Sequence, residues 1–416
     1  MICIGRLKVN FWMSTIRLIY IILHILEIWL LFVAGKKMSK TTTNREYWRK
    51  SLWAFIPYVF VLGLRFGHNI DWNYYCKTYV QHQVMDWNTT EPLFNYIFYF
   101  FNSIGTPYFI VISLQVALFM YSFLLVCKYF RKCLYYVLPL LPVVAQSNDN
   151  YIRWYWAVSF ILIGFYWLLS DKKRKYLISI VFFIAGVLVH NGSLVLLLFI
   201  PAYFFFNKRF FSQKISAVAI FISVFFISIA IMSFVNDIAT YLYLLGGDSI
   251  QDANVSKYLL KIDNITSEGL SDVTGIKEYG IFTKCIVYVS FLPVIIYAPK
   301  FLAKYKYGIL FYNLFIIGAF LNPFFSTVEI FDRYSKTLLI FQAIVAGITY
   351  YKLLSDKYKN EILKLFCILS MFCCFYPFMK YSLLTKSDYK MMYIWDSDGK
   401  EYVDTNLYLL DMLKNR

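Results

Sequence analysis

Long apolar runs recur along this chain, and short polar stretches separate them. Many are close to the roughly 17–25 residues that a helix needs to cross a bilayer. The pattern predicts helices at about 18–35, 51–66, 106–127, 134–146 and 151–170, then two around the turn His190-Asn191-Gly192-Ser193. Further ones follow at about 215–235, 280–298, 308–325, 337–351 and 361–379. The aromatic segment 92–104 is too short to span comfortably and reads as re-entrant or interfacial, with Pro92 favourably placed in its first turn. The expected fold is an all-α polytopic membrane protein of about twelve transmembrane helices plus that short helix, in one integral membrane domain, 1–416.

Composition agrees. Only 16% of the 416 residues are charged, against about a quarter in soluble proteins. A net charge of +17 raises the question of nucleic acid. The distribution answers it, because the bases lie in short clusters between apolar runs. Six alternate loops hold 22 Lys or Arg, whereas those at 67–93, 147–150, 236–279 and 327–336 hold 6. Positive-inside asymmetry makes the first set cytoplasmic and the second external, so the expected partner is the lipid bilayer and not nucleic acid. The outer regions are then 67–105 with its short helix, the long loop 236–279 and the polar tail 380–416. The N-terminus would also lie outside; Arg6, Lys8 and Arg17 oppose this, and a start at Met13 would remove the first two. His24 and Glu27, inside the first apolar run, are expected to face protein rather than lipid. The eight cysteines show no CxxC pair and no His/Cys metal spacing, so neither a disulfide framework nor a metal site is expected.

The stretch from Arg65 to Pro92 is richer in ionisable and aromatic groups than a connection requires. With this topology Arg65, His68, Asp71, Glu91, Asp149, Arg153, His190, Asp332 and Arg333 fall on the outer side from five separate places in the sequence. Charges at helix ends are costly unless they pair or face water, so their convergence suggests a shared aqueous cavity. Each also has a structural role open to it. Arg65 can snorkel, Glu91 and Asp149 can cap the helices that follow, His190 can bond a carbonyl, and Asp332 and Arg333 can pair locally. Arg153 is different, since a cation near a helix N-terminus opposes the dipole.

Transfer from a phosphorylated lipid carrier fits such a set. Arginines bind diphosphate with forked hydrogen bonds, and a carboxylate or histidine takes a proton from an attacking hydroxyl. The candidate catalytic residues are Asp71, then Glu91 and His190; the candidate substrate-binding residues are Arg65, His68, Tyr75, Arg153, Trp154, Asp332, Arg333 and Tyr334. An outer-face site has no cytosolic nucleotide sugar to draw on, so its donor would be membrane-anchored.

These residues resemble the EpsG family, related to the Wzy polymerases of O-antigen and capsule. The resemblance is carried by 65–75 followed by Glu91-Pro92, by 152–160, by 185–197 and by 331–336, and spans most of 50–350. Trp-Tyr-Trp-Ala after Arg153, where a Gln and a small residue are commoner, and His68-Asn69-Ile70, where Gly-Thr is expected, leave substrate specificity open. The resemblance implies a C-type membrane glycosyltransferase, without a required metal or cofactor, on the outer face of a bacterial inner membrane. It would join polyprenyl-diphosphate-linked oligosaccharide repeat units into exopolysaccharide or capsule, beside a flippase and a chain-length regulator. The alternatives are a glycosyltransferase using a lipid-monophosphate donor, with Asp71 catalytic, and a lipid-linked oligosaccharide flippase. A transporter should carry midplane charges and paired halves, and neither is evident. The cytoplasmic-side Arg/His signature of a membrane O-acyltransferase is also missing.

Overall fold

A computed structural model describes residues 2–66, 70–81, 91–226, 280–325, 329–355, 360–384 and 392–393. The expected loop 236–279 and His68 lie outside these residues. The first helices are α1 (Ile2–Ser39), α2 (Asn44–Gly63), α3 (Ile70–Gln81), α4 (Pro92–Ser103) and α5 (Tyr108–Cys127). Next come the short α6 (Leu134–Val137) and α7 (Leu141–Val144), then α8 (Ile152–Leu169), α9 (Lys175–Val189), α10 (Phe199–Phe205) and α11 (Gln213–Phe226). After the gap stand α12 (Ile281–Leu302), α13 (Gly308–Phe325), α14 (Glu329–Leu353) and α15 (Glu361–Leu384).

Five stretches among the described residues are long and apolar enough to cross a membrane: Tyr108–Val144, Ile152–Leu169, Ile281–Leu302, Gly308–Phe325 and Glu361–Met379. Lys175–Val189, Asn191–Phe205 and Gln213–Phe226 are shorter apolar helices. The protein is thus a helical membrane protein, and the expected count of about twelve spans exceeds what these lengths establish. Large apolar side chains such as Ile180 and Ile184 of α9 and Ile362, Leu365 and Phe372 of α15 stand exposed. Contiguous apolar surface of this kind belongs against lipid.

The boundaries differ from the sequence pattern in instructive ways. α2 begins at Asn44, well before its apolar run, because Thr43 caps it: its side chain accepts the Glu46 N–H at 3.2 Å. The stretch expected as the first outer region is not simply a loop, since α3 forms within it. α14 starts at Glu329, so Asp332, Arg333 and Tyr334, expected in a loop, ride its first turns. The run 134–146 is broken into α6, a single 3₁₀ turn and α7 at Pro139 and Pro142, which lack the N–H that a continuing helix needs. This broken segment packs against α1 and α14. At Gly347 of α14 a Cβ would lie 2.5 Å from Val137 Cγ2 and 2.8 Å from Val137 Cα, so only glycine permits the approach.

α8 is the most enclosed of the five spans. It packs between α5 and α9, and its Phe165 meets the rings of Phe199, Phe311 and Phe341. His24 and Glu27 of α1 are fully enclosed and bonded to each other at 2.8 Å.

The connections gather at two ends. At one, Arg131 donates to the Thr42 carbonyl at 3.3 Å, Lys306 pairs with Asp171 at 2.5 Å, and Asn207 donates to the Lys306 carbonyl at 3.1 Å. At the other, Arg65 donates to the Asn148 carbonyl at 3.3 Å, and Asn148 accepts from Gln115 at 3.0 Å. Arg65–Phe66 also pairs there, antiparallel, with Met392–Tyr393, which ties the tail to the end of α2. Arg131 and Lys306, members of two of the basic clusters, lie at the first end.

Candidate active site

Glu91 is the junction of the second end. It occupies the N-cap position of α4 but makes no side-chain cap there. Its carboxylate turns inward instead. One oxygen, Oε2, accepts from Nη1 of Arg153 in the first turn of α8. The other, Oε1, is bonded to Nδ1 of His190 and accepts the Asn191 backbone N–H at 3.2 Å. His190 is presented by the break between α9 and the 3₁₀ stretch Asn191–Leu198, in extended backbone with φ −155°. Hence a carboxylate holds this histidine, and the structural alternative of a bond to a carbonyl is not what forms at Nδ1.

The charges follow from the surroundings. Burial works against ionised Glu91, but the bond from His190 and the Arg153 cation outweigh it, and the carboxyl lies below its ordinary range. Burial also pushes His190 below the ordinary histidine range; Glu91 opposes that shift and the charges of Arg153 and Arg333 add to it. The resting pair is therefore carboxylate and neutral imidazole. An ionised carboxylate can only accept, so Nδ1 carries the proton and Nε2 keeps its lone pair. Nε2 lies over Gly192, where a Cβ would approach to 3.2 Å. The glycine leaves that lone pair room for a hydroxyl.

Every residue of this cluster lies within 48–394, the part of the chain that the EpsG family model matches. The chain belongs to the EpsG family. It is accordingly a membrane protein of polysaccharide biosynthesis. No curated protein and no solved structure matches it.

Around the Glu91 cluster this EpsG-family chain arranges aromatic rings. The Arg153 guanidinium lies 5.5 Å from the Tyr75 ring centroid and 5.7 Å from that of Phe94. Tyr75 is buried, and burial holds its hydroxyl neutral, with the charges of Arg153, Asp71, Arg333 and Glu91 all acting on it. Trp154 meets His190 edge-on at 5.6 Å and Tyr334 at 5.3 Å. Its indole N–H donates to Thr337 Oγ1 at 2.9 Å, and that hydroxyl donates to the Arg333 carbonyl at 2.8 Å. α8 and α14 are locked together at this level.

The structure thus brings Glu91, His190, Arg153, Tyr75, Trp154 and Tyr334 into one neighbourhood. Asp71 lies half-buried one turn before Tyr75 on α3. Arg65 is buried to the side, donating to the Leu62 and Asn148 carbonyls. Asp332 is buried, accepts the Tyr151 hydroxyl at 3.3 Å and pairs with Lys336 at 2.5 Å. Arg333 stands over the Tyr151 ring at 4.6 Å. Asn148, Tyr151 and Thr337 are not among the candidates the sequence offers, and Lys336 counts there as a loop charge and as the end of the 331–336 resemblance, with no site role. The Asp332/Lys336 spacing of i, i+4 becomes a signal only once α14 is known to begin at Glu329.

Proposed function

We propose that this protein is a polysaccharide polymerase that joins polyprenyl-diphosphate-linked oligosaccharide repeat units on the outer face of a bacterial inner membrane. About twelve spans carry it, and the basic loop end faces the cytoplasm. The observation that supports this reading best is the Glu91–His190 pair, which leaves a neutral imidazole with its Nε2 lone pair over Gly192.

His190 Nε2 takes the proton from a sugar hydroxyl of the incoming lipid-linked unit. That oxygen then forms a bond to the anomeric carbon of the growing glycan. The bond from that carbon to the diphosphate breaks, and polyprenyl diphosphate leaves. Glu91 is a positioning residue here: it fixes the tautomer and steadies the imidazolium that forms. Held by three donors and lowered in pKa, Glu91 is itself a weak base. Arg153 neutralises Glu91 and presents its remaining face beside Tyr75 and Phe94, where a sugar ring can stack. Arg333 answers the charge on the leaving diphosphate, and Asp71 lines the acceptor side.

Purified protein given polyprenyl-diphosphate-linked repeat units should lengthen them without any nucleotide sugar, and His190→Gln should not. Deleting the chain should leave single lipid-linked units accessible from outside. Units trapped on the cytoplasmic leaflet, with no elongation by the purified protein, would favour a flippase instead.

A further inference from the structure

Tyr75 on α3 is enclosed, with 7% of the residue exposed. Tyr74 meets its ring edge-on at 5.2 Å, Phe94 at 5.5 Å and Phe98 at 6.4 Å, and the Arg153 guanidinium lies over it at 5.5 Å. Packing on these sides holds the ring in place. The hydroxyl of a buried tyrosine ordinarily finds a partner. Neighbours at this end conform: Tyr79 donates to the Thr106 carbonyl at 2.5 Å, Tyr151 donates to Asp332 at 3.3 Å, and the Tyr155 hydroxyl is bonded to that of Ser147 at 2.9 Å. The Tyr75 hydroxyl bonds to no group among the described residues. Yet the charges of Arg153, Asp71, Arg333 and Glu91 all act on it, from α8, α3, α14 and the N-cap of α4. A packing role alone would be served by phenylalanine, as at Phe94 and Phe98, and an unmade hydrogen bond costs stability.

From this geometry, and resting on the polymerase reading, we infer that Tyr75 is a specificity-determining residue whose hydroxyl donates to a second oxygen of the acceptor sugar, the sugar whose attacking hydroxyl His190 deprotonates. Glu91 ties the two contacts together. His190 holds one of its carboxylate oxygens and Arg153 the other, and Arg153 lies against Tyr75. A sugar held at one oxygen can turn about that contact. Held at two, it presents one chosen hydroxyl to Nε2. Burial keeps the phenol protonated, so it serves as a donor and undergoes no covalent change.

The test compares native, Tyr75→Phe and Tyr79→Phe full chains in detergent. The probes are lipid-linked repeat units isolated from cells lacking this chain and the free oligosaccharide released from them. Tyr75→Phe should bind the free oligosaccharide about tenfold more weakly, the scale of one hydrogen bond, and lose at least as much kcat/KM in elongation. Its unfolding midpoint should not fall, because the hydroxyl gives up no internal bond. The acid limb of its kcat/KM should stay in place, because the Glu91–His190 pair is untouched. Tyr79→Phe should show the opposite pattern: a lower midpoint from the lost Thr106 bond, with native oligosaccharide binding. Native binding and kcat/KM in Tyr75→Phe overturn the assignment. A midpoint lowered as far as in Tyr79→Phe also overturns it, by revealing an internal partner. Elongation by native protein separates the two readings. Tyr75-dependent oligosaccharide binding without any elongation leaves the sugar contact standing and removes the polymerase. Elongation that Tyr75→Phe does not affect does the reverse.

Discussion

His190 and Glu91, 99 residues apart in sequence, are joined through Nδ1 and Oε1. The bond leaves the imidazole with its proton on the inner nitrogen and its lone pair over Gly192. Removing the base should therefore lower elongation by about 10²–10⁴-fold, the usual range for general-base catalysis. His190→Gln should do this with normal membrane levels. In native protein the acid limb of kcat/KM should lie below the ordinary histidine range, because burial lowers the pKa. Glu91→Gln should move that limb further down, since the carboxylate no longer favours the imidazolium. An unmoved limb in Glu91→Gln would separate the two residues.

Stability should respond to acid through the same pair. His190 and Glu91 both have lowered pKa values in the fold. As pH falls through about 6.5, the unfolded chain gains a proton on the histidine that the folded chain does not yet hold. As it falls through about 4.3, the same happens at the carboxylate. Both slopes therefore destabilise the fold as pH drops. Thermal unfolding midpoints in detergent, read from pH 8 to pH 5, should decline more in native protein than in His190→Gln. Parallel curves would remove His190 from the account.

Gly192→Ala should leave the protein folded and slow it. The added Cβ would stand 3.2 Å from His190 Nε2, where the acceptor hydroxyl is placed. A fall in kcat of roughly tenfold or more, with unchanged head-group binding, is expected for a displaced reacting atom. Unchanged kcat would mean that the acceptor approaches from another side.

Gly347→Ala should act on the fold. Its Cβ would meet Val137 Cγ2 at 2.5 Å and Val137 Cα at 2.8 Å. Overpacking of this kind costs about 1–3 kcal/mol. Val137→Ala should restore only part of the lost unfolding midpoint in detergent, because the backbone clash stays. Full restoration would place the whole conflict in the side chain.

Orientation is checked by labelling. In a chain whose exposed Cys285 is replaced by Ser, Tyr74→Cys on α3 should react with an impermeant thiol reagent in spheroplasts. Lys173→Cys in the basic α8–α9 connection should not. The opposite pattern would put the Glu91–His190 pair on the cytoplasmic face.

The membrane class, the family and the alternation of Lys/Arg-rich and Lys/Arg-poor connections were legible in the chain itself. Hydropathy and Lys/Arg placement are local quantities, summed over neighbouring residues, so no folding is needed to read them. The starts of α2 and α14 were less legible: both begin ahead of their apolar runs, α2 at Asn44 behind the Thr43 cap and α14 at Glu329. The site's composition could be listed in advance, but its wiring could not. Glu91 stands where a cap would stand, and only the approach of α8 and of the α9 end offers its carboxylate stronger donors than its own helix does. Likewise the Tyr75 hydroxyl gains meaning only because Glu91, Arg153 and Arg333 are brought near it from three other elements. A buried charge takes whichever partners share its low-dielectric surroundings, and which groups those are is decided by helix packing.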